Sequence, residues 1–280
     1  MATSVSIPIN SHFRFFICPL LITFAAMHKI VLITGATSGF GKAIAEKFAS
    51  NHWNCIITGR RAGRLHAFAD ELREKYTTRI LSLVFDVQHK EEVFQNLSNL
   101  PDEWKEIDVL VNNAGLALGR DTVDKGNISD WDTMIDTNVK GLLYVTKAVL
   151  PYMTAGNKGH VINVGSIAGK EVYEKGNVYC ATKFAVDALS RAMRIDLLPH
   201  KIKVTVVNPG AAETEFSTVR FKGDENKAKQ VYDGFTPLYA PDIADIVWYC
   251  VSLPPHVCIN ELQVTCTAQA SAVNLYKEQV

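Results

Sequence analysis

From residue 29 onward, short β-branched and apolar runs alternate with stretches of helical periodicity, and this alternation constrains the fold more than any other feature. The segments 29–34 (KIVLIT), 54–58 (NCIIT), 80–85 (ILSLVF), 107–111 (IDVLV), 160–164 (HVINV) and 203–207 (KVTVV) read as strands, with a last one at about 261–266. Helical stretches are predicted at 40–50, 64–76, 89–100, 130–150, 177–198 and 241–252. Strands that are apolar along their whole length are buried on both faces, as in a parallel sheet covered by helices. The strand–helix–strand order therefore predicts a doubly wound α/β fold. The polar segment 216–237 lacks strand character and is expected to form a helical insertion or lid.

Composition narrows the classes of function. The chain has 280 residues, 29 basic and 29 acidic, and the resulting zero net charge argues against a broad basic face for nucleic acid. Charged residues at 21% and only 10 prolines exclude a mainly disordered chain. A chain of this length buries enough core to fold without disulfides or metal. Six cysteines, at 18, 55, 180, 250, 258 and 266, form no CxxC and match no zinc spacing, so they read as free thiols of a cytoplasmic protein. The first 26 residues stand apart, with Arg14 their one charged side chain. Their apolar part, 13–26 (FRFFICPLLITFAA), is too short to span a membrane and is interrupted by Pro19. Residues 1–26 are expected to be an extension, with a targeting signal as the alternative, and 27–280 a single domain without stable membrane insertion.

The chemistry begins where the first strand ends, in Thr34-Gly35-Ala36-Thr37-Ser38-Gly39-Phe40-Gly41. Glycines here permit a tight turn and let a pyrophosphate approach the positive end of the following helix, as in Rossmann-type folds. The spacing GxxxGxG is not the GxGxxG fingerprint, and a purely structural turn is the alternative. Where an acid at the end of the second strand would take a ribose hydroxyl, this chain has Arg60 and Arg61, with Arg64 a turn later. Guanidinium groups suit the 2′-phosphate of NADP. A solvated basic helix start is the other reading, although arginine there opposes the helix dipole. Tyr179 and Lys183 lie four apart and share a helical face. A nearby ammonium is expected to lower the tyrosine pKa toward working range. Ser166 precedes Tyr179 by thirteen residues, at the end of a strand, where α/β sheets present their chemistry.

Taken in order, Thr34–Gly41 with Asn112-Asn113-Ala114-Gly115, Asn138, Ser166, Tyr179xxxLys183 and Asn208-Pro209-Gly210 resemble the short-chain dehydrogenase/reductase family across 28–270. The segments VNNAGLALGRD, WDTMIDTNVKG and TEFSTVRFKGDENKAKQVYDG, with the tail TAQA, are similar to the NADP-dependent 3-hydroxy acid dehydrogenases within it. The resemblance implies a catalytic set of Asn138, Ser166, Tyr179 and Lys183. Tyr179 would exchange the hydroxyl proton and Ser166 would hold the substrate oxygen. Lys183 would bind the nicotinamide ribose, and Asn138 would anchor a relay water. The cofactor NADP would lie along Gly35, Thr37, Ser38, Gly39, Phe40 and Gly41, with Asn113, Ala114 and Gly115 lining it. Asp86 and Val87 would meet the adenine, and Pro209, Gly210 and Thr214 the nicotinamide. The implied substrate is a short 3-hydroxy acid such as serine, allo-threonine or 3-hydroxypropionate, and the implied assembly a homotetramer through 130–150 and 177–198.

The chain departs from the family at Ala212, where a bulky apolar residue is usual, and at Lys170-Glu171-Val172, where an apolar or proline-containing run is usual. Both positions bear on the substrate pocket. By charge alone Arg220 and Lys170 are candidate partners of a substrate carboxylate, against the reading that both are solvated. A reductase of another carbonyl (3-oxoacyl, sugar or diketone) is the alternative activity, and a non-catalytic NADP sensor the alternative class.

Overall fold

The computed structural model describes residues 29–278, so the expectation for residues 1–26 falls outside the described residues. Seven strands form one all-parallel sheet: β1 (Ile30–Ile33), β2 (Asn54–Gly59), β3 (Ile80–Val84), β4 (Ile107–Asn112), β5 (Gly159–Val164), β6 (Ile202–Pro209) and β9 (Glu261–Val264). Their order across the sheet is β3-β2-β1-β4-β5-β6-β9. Every residue of β1 and β2 is buried, as their continuous apolar runs require. One face is covered by α1 (Gly39–Ser50), α2 (Ala62–Lys75) and α9 (Ala240–Ser252), which bury Phe48, Ile44, Leu65, Leu72 and Val247 against it. The other is covered by α3 (Lys90–Ser98), α5 (Leu142–Gly156) and α6 (Asn177–Asp196), through Leu97, Val149, Met153 and Val186. Chain direction across the sheet reverses between β1 and β4, which opens a crevice at the carboxyl ends of the strands.

Two expectations are corrected in detail. The helix expected at 130–150 is α4 (Ile128–Ile135), a π-helical segment Asp136–Gly141 and then α5. The wider turn carries Asn138, whose amide is drawn to the backbone of Leu116, and no periodicity in the sequence signals it. The insertion expected at 216–237 consists of two short helices, α7 (Glu215–Arg220) and α8 (Glu225–Gln230). Its ends are tied together by a small parallel pair, β7 (Ala212–Glu213) and β8 (Leu238–Tyr239), too short to leave a pattern. Cys55, Cys180, Cys250 and Cys266 are buried, Cys258 is half-buried, and all five are free thiols. Cys18 lies outside the described residues. No described helix is long and apolar enough to cross a membrane.

Candidate active site

A cleft of about 930 Å³ runs along the carboxyl ends of the strands. All the expected cofactor residues line it except Gly41, and so do Ser166, Arg220 and Ala212. Gly41 sits behind the wall, where a side chain would run into the Gly35 carbonyl and the Asn113 amide. Its absence of a Cβ lets α1 close onto the turn. Gly35 has φ +69°, a left-handed conformation that side chains disfavour.

The turn is braced from β4. Asn113 Nδ2 donates to the carbonyls of Thr34 at 2.8 Å and Gly35 at 3.3 Å. Thr34 Oγ1 accepts from the backbone N–H groups of Asn113 and Ala114, both at 3.0 Å. Ser38, the N-cap of α1, makes no side-chain cap bond, and the first turn carries no acid. The start of α1 therefore carries neither a capping bond from Ser38 nor an acid of its own.

At the outer end of the cleft, Arg61 Nη2 donates to Thr37 Oγ1 at 2.7 Å and Ser38 Oγ at 2.8 Å. Its Nη1 meets Glu215 at 2.9 Å, and Arg64 meets the same carboxylate at 2.9 Å. Burial works to raise the Glu215 carboxyl, but Arg61 and Arg64 outweigh it and hold the group below the usual range. Arg60 reaches Asp86 at 3.2 Å. Arg60 and Arg61 both line the cleft, just past the end of β2.

At the inner end, Tyr179 and Lys183 rise from α6 and are both buried. Lys183 Nζ donates to the Val164 carbonyl at 2.9 Å and lies 5.9 Å from the Tyr179 ring centre. Burial pushes the ammonium down to about 8. Tyr179 departs from the sequence expectation. Burial first, then Tyr173, pushes its phenol above the ordinary value, and a hydrogen bond with Ser166 and the charge of Arg220 pull against this. Desolvation of the phenolate outweighs the hydrogen bond and the positive charge beside it. Ser166 is held in turn: its Oγ accepts from Ala168 N at 3.1 Å, and its backbone N–H donates to Asn208 Oδ1 at 3.1 Å. Asn138 lies outside the cleft wall. Its Oδ1 accepts from Leu116 N at 2.8 Å, and its Nδ2 donates to Leu116 O at 2.8 Å and Thr182 Oγ1 at 3.0 Å.

Residues 29–225, well over half of the chain, match the family model for short chain dehydrogenases. The chain belongs to the short-chain dehydrogenase family. It is 48% identical to an NADP-dependent 3-hydroxy acid dehydrogenase of Salmonella typhi, over 87% of this chain and 97% of that protein. It is 44% identical to sulfoacetaldehyde reductase 2 of Chromohalobacter salexigens, over 87% and 96% respectively. Among solved structures, the closed form of serine dehydrogenase complexed with NADP+ matches with a TM-score of 0.84 and 45% identity, covering 89% of this chain and all of that one.

For this member of the short-chain dehydrogenase family, the structure separates the two carboxylate-binding candidates. Lys170 leaves the site: its ammonium lies between Asp187 at 2.6 Å and Glu261 at 2.7 Å, and the side chains of Lys170 and Asp187 are only 17% and 12% exposed. Asn208 Nδ2 also donates to Glu261, at 3.4 Å, so this group joins the Ser166 loop to α6 and β9. Replacing Lys170 with methionine leaves Asp187 and Glu261 with Arg191 alone, at 3.0 and 3.9 Å, and is expected to cost ~2 kcal/mol in urea unfolding. A loss below ~0.5 kcal/mol would reduce the pair to a surface bridge. Arg220 remains in the cleft. Its guanidinium carbon lies 5.6 Å from the Tyr179 ring centre and 5.4 Å from that of Tyr173.

Several residues that shape the site went unnoticed in the sequence. Phe216 packs its ring 5.6 Å from Tyr179, and Tyr173 backs the same chamber. Asn163 links Asn112 at 2.9 Å to Ser190 at 2.9 Å beneath it. Asparagines inside apolar strands were the available signal, because a buried amide must find partners.

Proposed function

We propose that the protein is an NADP-dependent oxidoreductase that transfers hydride between NADP and a short 3-hydroxy acid. The observation that carries this reading is one continuous cleft, with a glycine turn and two arginines at one end and Ser166, Tyr179 and Lys183 together at the other. The fit of the cofactor rests on the uncapped start of α1, the side-chain-free cradle at Gly35 and Gly41, and the guanidinium groups of Arg60 and Arg61. When bound, NADP supplies or accepts the hydride. The relative at 48% identity supports both the cofactor and the substrate class.

In this reading the chain's own residues hold the substrate and move the proton. The Tyr179 hydroxyl gives its proton to the carbonyl oxygen in reduction and takes it back in oxidation. The Ser166 hydroxyl hydrogen-bonds the same oxygen and fixes it beside Tyr179. Lys183, with a pKa near neutrality, binds the nicotinamide ribose and returns protons to Tyr179. Asn138 braces the wall at Leu116 and Thr182, next to the place where a relay water would serve Lys183. Arg60 and Arg61 take the 2′-phosphate, Asp86 and Val87 the adenine, and Pro209, Gly210 and Thr214 the nicotinamide end. The similarity to a sulfoacetaldehyde reductase favours a second substrate within the same reaction, an aldehyde that ends in a sulfonate.

We place this activity in one domain, 27–280, of a cytoplasmic homotetramer. Five free thiols fit a reducing compartment, and the exposed apolar residues Leu143 on α5 with Phe184 and Ile195 on α6 offer a helix face for assembly. NADP reduction by the purified protein across L-serine, L-allo-threonine, 3-hydroxypropionate and 3-hydroxyisobutyrate tests the substrate class. Turnover of one or more of these, above that of uncharged alcohols, is expected. Activity confined to uncharged alcohols would overturn the reading.

A further inference from the structure

We propose that Arg220 is the residue that recognises the negative end of the substrate, an oxyanion of carboxylate or sulfonate type a few bonds from the reacting carbon. This rests on the hydroxy-acid reading above and gives it a recognition site.

The placement comes from the fold. Arg220 ends α7, and its backbone carbonyl accepts the Gly119 N–H at 3.0 Å, which ties that end of the insertion to the loop after β4. The side chain then lies against the rings of Tyr179 and Tyr173, so the guanidinium shares the chamber of the reacting phenol.

The charge pattern of the neighbourhood narrows the choice, since Lys183 and Lys277, which also line the cleft, are directed to backbone carbonyls. Arg60, Arg61, Lys170, Lys222 and Lys227 each have a carboxylate within ion-pair distance. Arg220 has none among the described residues; its guanidinium meets the Tyr173 hydroxyl, and its Nε is buried with no hydrogen-bond partner. A buried donor left without an acceptor is costly, and it persists where a ligand completes it. The guanidinium edge presents two parallel N–H groups, the pattern that pairs with a planar carboxylate and also with two oxygens of a sulfonate. Arg120 also approaches Tyr173, at 5.9 Å, but it is exposed and makes no ring contact with Tyr179.

A competing role is that Arg220 acts only through Tyr179, whose phenol it pulls downward. The two roles separate by substrate charge. An anion reader matters for charged substrates alone, whereas a tuner of Tyr179 matters for every substrate.

The test compares wild type, Arg220→Lys and Arg220→Met on 3-hydroxypropionate, on 2-hydroxyethanesulfonate and on the uncharged methyl ester of 3-hydroxypropionate. NADP affinity is followed in parallel by nicotinamide fluorescence. Malonate, which carries the carboxylate but no oxidisable hydroxyl, is titrated calorimetrically into the NADP complex. In Arg220→Met the KM for the anions is expected to rise about 10–100-fold, as loss of a charge-assisted pair implies. Ester turnover and NADP affinity should change by less than about threefold, Arg220→Lys should fall between, and malonate binding should disappear. Loss with one anion only assigns the site to that oxyanion. Equal losses on acid and ester, or malonate binding unchanged in Arg220→Met, would overturn the proposal, as would no malonate binding to wild type. If wild type oxidises neither anion yet binds malonate through Arg220, the oxyanion site stands and the hydroxy-acid activity falls.

Discussion

Replacing Tyr179 with phenylalanine is expected to lower kcat by about 10³-fold, the range set by loss of a positioned proton donor, while NADP still binds. The ring keeps its packing on Phe216 and its contact with Arg220, so only the hydroxyl is removed. Of the groups beside it, Ser166 is a much weaker acid, and Lys183 Nζ is directed to the Val164 carbonyl. The pH dependence follows from the directions of the shifts. Burial holds Tyr179 protonated through neutral pH, so reduction, which needs the acid form, is flat there. Lys183, pushed down to about 8, loses its proton as pH rises through that value, and reduction should decline above it. Oxidation needs the basic form of Tyr179 and should climb with pH over the same range. Near-normal turnover by Tyr179→Phe would show that another group moves the proton.

The second large effect lies at the other end of the cleft. Arg60→Ala is expected to weaken NADP binding about 10–100-fold and to leave NAD binding within about threefold, because only the 2′-phosphate distinguishes them. Inside the protein the change removes one ion pair, with Asp86 at 3.2 Å, from an arginine side chain that is more than half exposed. Arg61→Ala should behave differently. Its guanidinium also holds Thr37 and Ser38 of the glycine turn, so NAD binding should weaken as well. Fluorescence titration of the two variants with NADP and NAD separates the effects. A preference for NAD in wild type, or equal losses of both cofactors in Arg60→Ala, would contradict the assignment.

What could be read in advance, and what could not, follows from the kind of signal each feature leaves. The sheet was legible because β1, β2, β4, β5 and β6 carry largely β-branched and apolar runs between helical stretches. The glycine turn, Arg60, Arg61 and Ser166 could be placed in the cleft because they follow strand ends, and Tyr179 and Lys183 because four-residue spacing puts them on one face of α6. The π-helical turn at Asn138 was not, since a one-residue change of helical register leaves the pattern of apolar residues almost unaltered. Lys170 and Arg220 looked equivalent as isolated positive charges. Only the approach of Asp187 and Glu261, from α6 and β9, removes one of them from consideration. The balance on Tyr179 was likewise invisible: four-residue spacing puts Lys183 nearby, but the depth of burial that raises the phenol belongs to the assembled fold. Tertiary packing decides electrostatics that local sequence can only suggest.

The central claim is that one cleft brings NADP and a short hydroxy acid to Tyr179. The most direct measurement is the initial rate of nicotinamide reduction at 340 nm with 3-hydroxypropionate, run side by side with NADP and with NAD. The account predicts turnover with NADP at least about tenfold more efficient than with NAD, as the 2′-phosphate contacts imply. Equal or better turnover with NAD, or no turnover with either cofactor while an uncharged alcohol is oxidised, would contradict it.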